Sequence, residues 1–160
     1  MIYPKNLLTF VCILICLAGC RNRNPAGSAG DQIAFNKTKA AIGDAFAKGD
    51  VTAVLSLHHP DVVKYFGGKN IVTGRSGLKK QLIDLFNYAR TEFVENNIES
   101  TIYNGDAIIE TSIFSMRMIP KNGDSSRIIR GRSMVVYVRY KDSPTGWASL
   151  REMVQEAPGN

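Results

Sequence analysis

Cysteine is almost missing from this 160-residue chain, and all three copies, Cys12, Cys16 and Cys20, fall within the first 20 positions. A disulfide framework or a four-cysteine zinc site in the remaining sequence is thereby excluded. Histidine occurs only as the neighbours His58 and His59, and tryptophan only as Trp147. Internal repeats and low-complexity tracts are absent, and so are cofactor-binding motifs, so no cofactor is expected. The single long apolar run, Leu7 to Gly19, spans 13 residues. A membrane-crossing helix needs about 20 apolar residues, so a permanent span is disfavoured. The whole chain is 44% hydrophobic and 21% charged, the balance of one globular domain.

The apolar run follows the positively charged start "MIYPK" and ends in "LAGC", residues 17–20. A charged start, an apolar stretch and small residues before a cysteine resemble, in that order, a bacterial lipoprotein signal. The resemblance implies a removed segment 1–19, lipid attachment at Cys20 and a place in the bacterial cell envelope. Arg21 stands where an inner-membrane retention aspartate would be, so the outer membrane or cell surface is favoured. Removal of residues 1–19 takes Lys5 alone among the charges, leaving 19 basic residues against 14 acidic, a net +5. That excess does not call for nucleic acid, which an exported protein seldom meets.

"RNRNPAGSAGD", Arg21 to Asp31, reads as a flexible tether, making 20–31 the lipidated linker and 32–157 the domain. Between Ile33 and Lys48 apolar residues recur at helical spacing, and Gly49 terminates the pattern. Asp50 is placed to cap a second helix, "VTAVLSLHH", stopped by Pro60. "DVVKYF" and "NIVT" flank "GGK" as a hairpin, and Ser76 is positioned to cap a third helix carrying Leu78, Leu82, Leu85 and Phe86. Thereafter the period changes to two, giving four extended segments separated by "NGD", "PKNGDSS" and "KDSPTG". Helices grouped early and strands late predict an α+β domain, three helices on a curved antiparallel sheet.

That order, with "AFAKGDVTAVLSLHHPDVV", "GRSGLKKQL" and "GWASLRE", resembles the nuclear transport factor 2-like superfamily over Ile33 to Ala157. The superfamily includes SnoaL-like cyclases and ketosteroid isomerase. The resemblance implies a cone-shaped fold with a pocket between sheet and long helix, without implying one reaction. Ketosteroid isomerase uses a carboxylate base and an oxyanion hole of a tyrosine and a protonated aspartic acid. The corresponding positions here are Phe66, Ile42 and Val136, all apolar. No catalytic residue is therefore assigned, and an enzyme of that type is disfavoured.

His58, His59 and Asp61 suggest a metal site at first sight. Adjacent helical side chains diverge by about 100°, however, and no further His or Cys completes a ligand set, so no metal is expected. The histidines read instead as complements to a helix C-terminus. Ile42, Phe46, Phe66, Phe114, Met116, Met134, Val136 and Trp147 are expected to wall the pocket, with Arg132 at its mouth beside Glu152 or Arg151. The arginines of the last three strands are otherwise read as a solvated outer face. The expectation is an envelope-anchored, non-catalytic domain that binds a small hydrophobic or weakly anionic ligand, or a protein partner. The alternative is a SnoaL-like cyclase, isomerase or hydratase using Asp61, Tyr65 or His59, and a homodimer through the sheet face is a third possibility.

Overall fold

The computed structural model describes residues 27–157. Cys20, the signal segment and most of the tether lie outside the described residues. Helix α1 spans Ala29–Lys48 and begins before Gln32, where the sequence pattern places the domain start. Its earlier start has a local cause. Ser28 accepts from the Asp31 amide while the Asp31 carboxylate accepts from Ser28, a reciprocal box that satisfies first-turn donors. Gly49 ends the helix in the left-handed region (φ 65°), with its amide bonded to Phe46.

Asp50 caps α2, Val51–Ser56, through a 2.9 Å bond from the Ala53 amide. This helix is shorter than its sequence pattern. His58, His59 and Pro60 already belong to strand β1, His58–Phe66, because backbone pairing of His58 with Ser149 draws them into the sheet. Gly67 and Gly68, both at positive φ, turn the chain into β2, Asn70–Thr73. α3, Gly74–Tyr88, follows directly. Its N-cap is Thr73 without a side-chain bond, so Ser76 lies inside the helix and does not cap it.

The remaining strands are β3 (Ala89–Asn104), β4 (Ala107–Pro120), β5 (Arg127–Arg139) and β6 (Trp147–Glu156). One sheet of order β2-β1-β6-β5-β4-β3 results. It is mixed, not wholly antiparallel as the pattern suggests, because β1 and β6 run parallel. Strands 1 and 6 are separated by most of the domain, so no hairpin dictates their relative direction. Irregular pairing at Phe93/Glu95 and Ile98/Ser100 bends β3, and the curved sheet holds the helices on its concave side.

Two buried clusters hold the layers together. Ala45, Val54, Val62, Leu78, Leu82 and Phe86 join the helices to β1. Phe35, Ile108, Val135, Tyr137 and Trp147 join α1 to the sheet at its other end. Among the described residues no helix is long and apolar enough to cross a membrane.

Candidate ligand cavity

Strand phase decides which side chains reach the concave face, since successive residues point to opposite sides. Lys64 on β1 stands opposite Glu152 on β6, Glu152 opposite Val135 on β5, Val135 opposite Glu110 on β4, and Glu110 opposite Thr101 on β3. The next rank of the same face is Phe66, Val154, Ser133 and Ser112. Three charged side chains, Lys64, Glu110 and Glu152, and two serines are thus brought under the helices from strands far apart in sequence, together with Tyr137.

Above these ranks a cavity of about 320 Å³ remains between the sheet, α1 and α3. That volume is at the lower end of the range for small-molecule sites. α1 contributes Lys39, Ile42, Gly43 and Phe46, and α3 contributes Leu78, Gln81 and Leu82. A Cβ placed on Gly43 would meet nothing within 4 Å, so the helix face beside it is open. On the opposite wall Gly131 has the reverse role. Its Cβ would lie 2.8 Å from the Phe114 ring, so only glycine lets that ring lie across β5.

The rim is aromatic. Phe46 meets Phe93 edge-on at 6.1 Å and Phe93 meets Phe114 at 6.2 Å, with Phe93 about half exposed. The floor is polar but internally matched. Lys39 Nζ donates to Glu110 Oε2 at 2.7 Å, and the Thr101 hydroxyl donates to the same oxygen at 3.2 Å. Lys64 likewise donates to Glu152. The Ser112 and Ser133 hydroxyls are 3.1 Å apart. Burial pushes the Tyr137 phenol well above its ordinary range, reinforced by the negative charges of Glu152 and Glu110. Tyr137 therefore stays protonated and able to donate.

No family model and no curated protein sequence matches the chain. Solved structures do. A conserved protein from Planctomyces limnophilus DSM 3776 superposes with a TM-score of 0.71 at 17% identity, covering 81% of this chain and 100% of that one. A nuclear transport factor 2-like superfamily protein from Salmonella enterica gives a TM-score of 0.63 at 12% identity, covering 82% and 92%. The chain has the nuclear transport factor 2-like fold. A ketosteroid isomerase-like protein from Erwinia carotovora gives 0.64 at 15% identity, covering 78% and 94%.

Within this nuclear transport factor 2-like fold, Ile42, Phe46, Phe66, Phe114 and Met116 line the cavity. Met134, Val136 and Arg132 do not. They belong to the opposite phase of β5, where Met134 is half exposed and Arg132 forks onto Glu99 at 2.9 and 3.1 Å. Their neighbours Ser133, Val135 and Tyr137 face inward instead. Glu152 points into the cavity, so it cannot pair with Arg132, and Arg151 bonds the Asp61 carbonyl at 2.7 Å. Trp147 is sealed at the far end against Phe35 and Tyr137, beneath the Arg139 guanidinium at 4.6 Å.

The histidine pair also divides. His58 is buried with Nδ1 2.7 Å from the Val54 carbonyl, which only accepts, so Nδ1 carries the proton. His59 packs edge-on against Tyr140 at 4.9 Å, and the Asp61 side chain is exposed. Neither His59, Asp61 nor Tyr65 lines the cavity, which removes the residues of the SnoaL-type enzymatic alternative from the pocket. Among the described residues no group of three or more His, Cys, Asp or Glu side chains is placed to hold a metal ion.

The residues missed in the sequence include Phe93, Val135 and Tyr137, and above all the polar Lys39, Lys64, Glu110, Ser112 and Ser133, together with Gly43. Two of them carried a signal. Lys64 shares its strand phase with Phe66, and Glu110 shares its phase with Phe114. A charge in phase with expected core residues is the mark of a paired group inside.

Proposed function

We propose that this protein is a lipid-anchored component of the bacterial envelope whose domain binds a small, largely hydrophobic molecule in the concave cavity without transforming it. The observation that carries the reading is the combination in one cavity of an open aromatic rim with a floor whose charges are already matched. A general base must be free to take a proton from its substrate. Glu110 and Glu152 are each held by a lysine, and Phe66 and Ile42, which the sequence resemblance matches to the isomerase base and tyrosine, line the cavity as apolar side chains. The anchor rests on "LAGC" and its cysteine, which precedes the start of α1 by nine residues.

The protein extracted from its own host membrane tests both halves. Mass spectrometry of the purified material is expected to release a small molecule that a Gly43→Leu variant, with its cavity filled, does not retain. Labelled palmitate is expected on the wild-type chain and lost in Cys20→Ser. An empty wild-type cavity, or a ligand retained equally by Gly43→Leu, would count against binding there. Label persisting in Cys20→Ser would count against the anchor.

A further inference from the structure

We infer that the cavity selects an uncharged hydrophobic molecule bearing a hydroxyl or carbonyl group and rejects the corresponding carboxylate. This rests on the reading of the cavity as a binding site and narrows the chemistry of its ligand. The domain's basic excess would suggest an anionic ligand, but the charges that face the cavity do not share it. Lys39 and Lys64 are opposed there by Glu110 and Glu152, a local balance of zero.

One member of each pair is shielded: the Glu110 side chain is 6% exposed and that of Lys64 8%, while Lys39 and Glu152 are partly exposed. An entering carboxylate adds a third negative charge beside Glu110 and Glu152 and has to share a lysine with one of them, which weakens the compensation of a desolvated glutamate. An entering ammonium meets the same obstacle from the lysine side. A hydroxyl or carbonyl displaces neither. It finds a donor in Tyr137, which remains protonated, and donors and acceptors in the hydroxyl pair Ser112–Ser133. The apolar remainder of such a molecule lies against Phe46 and Phe114, where edge-to-face contacts add to burial.

The test compares two probes that share the 4-ethylphenyl group, 4-ethylphenol and 4-ethylbenzoate, on the mature protein from its host membrane in detergent micelles at pH 7. Amide shifts of Ser112 and Ser133 are followed, and Gly43→Leu serves as the blank for partition into the micelle. The phenol is expected to bind at least about tenfold more tightly than the benzoate. Glu152→Gln, which frees Lys64, is expected to tighten benzoate binding by about tenfold, whereas Glu99→Gln on the outer face leaves both affinities unchanged. Should Glu152→Gln not fold, Glu110→Gln frees Lys39 and makes the same comparison.

Benzoate binding to the wild type as tightly as phenol would overturn the selectivity while leaving the cavity a binding site. Unchanged benzoate affinity in the folded glutamate variants would overturn it also. Binding of neither probe beyond the Gly43→Leu blank would remove the binding site and the selectivity together.

Discussion

The two ends of the concave face are made from the same four long strands, yet one is solid and the other hollow. At the end where β4 and β6 begin, Phe35 of α1 is fully buried between Tyr137 and Tyr103, with Trp147 and Ile108 beside it. At the other end Phe66, Val154 and Phe114 face α1 across open space, where the helix offers Gly43. Sheet and helix are continuous through both. What differs is the size of the helix residue presented to the sheet, a matter of eight positions along α1. A binding cavity in this fold is therefore a local omission in a core, and the filled end supplies the stability that lets the open end stay open.

The contrast is broken most severely at the filled end. Phe35→Ala removes a ring with no exposure, in edge contact with Tyr137 at 4.9 Å, and is expected to cost about 3–5 kcal/mol in denaturant unfolding. Phe93→Ala at the rim, where the ring is 47% exposed, is expected to cost less than half as much. Equal losses at the two positions would mean that the cavity collapses around its rim and that the two ends are not different in kind.

A second difference is chemical. His58, buried at the start of β1 opposite Ser149 of β6, has its pKa held well below the ordinary value, chiefly by burial and then by the Lys64 charge. A histidine depressed in the folded state is neutral there and takes up a proton only on unfolding. Its contribution is thus complete above the unfolded value near 6.5 and is lost as pH falls from there toward the folded pKa. Stability is therefore expected to fall as the pH is lowered below about 6.5. His58→Asn keeps a donor for the Val54 carbonyl but cannot titrate. Its thermal midpoint should be lower than wild type at pH 7 and flatter from pH 7 to 5, and an equally steep fall in the variant would place the acid sensitivity elsewhere.

These two ends were unequally legible in the sequence. Helices α1 and α3 follow from their periodicity, and Gly49 and Asp50 from their capping chemistry, because those signals are local. The parallel pairing of β1 with β6 is non-local and has no sequence mark. The phase of β5 was also out of reach for a physical reason. In "SMVVYVRY" both alternating sets, Met134 with Val136 and Val135 with Tyr137, are apolar, so hydrophobicity cannot choose between them. Partner strands choose instead. Glu110 and Glu152 flank Val135 on the concave face, and Met153 and Thr111 flank Met134 on the other. Arg132 follows its strand outward, and the filled end claims Trp147, the bulkiest side chain in the domain.

Gly43 is the residue on which the comparison turns, and its substitution has the smallest effect on stability. Glycine inside a helix is unfavourable by roughly 0.5–1 kcal/mol relative to alanine, and nothing in the backbone of α1 at this position requires it. A Cβ there meets no atom within 4 Å, so Gly43→Ala is expected to raise stability by about 0.5–1 kcal/mol in urea titration. Gly43→Leu extends the side chain into the cavity, burying apolar surface against Phe66 and Phe114, and is expected to retain at least wild-type stability while excluding ligand. Such an outcome separates the two demands on α1: the fold would be served by any residue at position 43, and only the open space requires glycine. A Gly43→Leu protein that unfolds more readily than wild type would show instead that the cavity walls are already in contact in solution, and the two ends of the sheet would be one core.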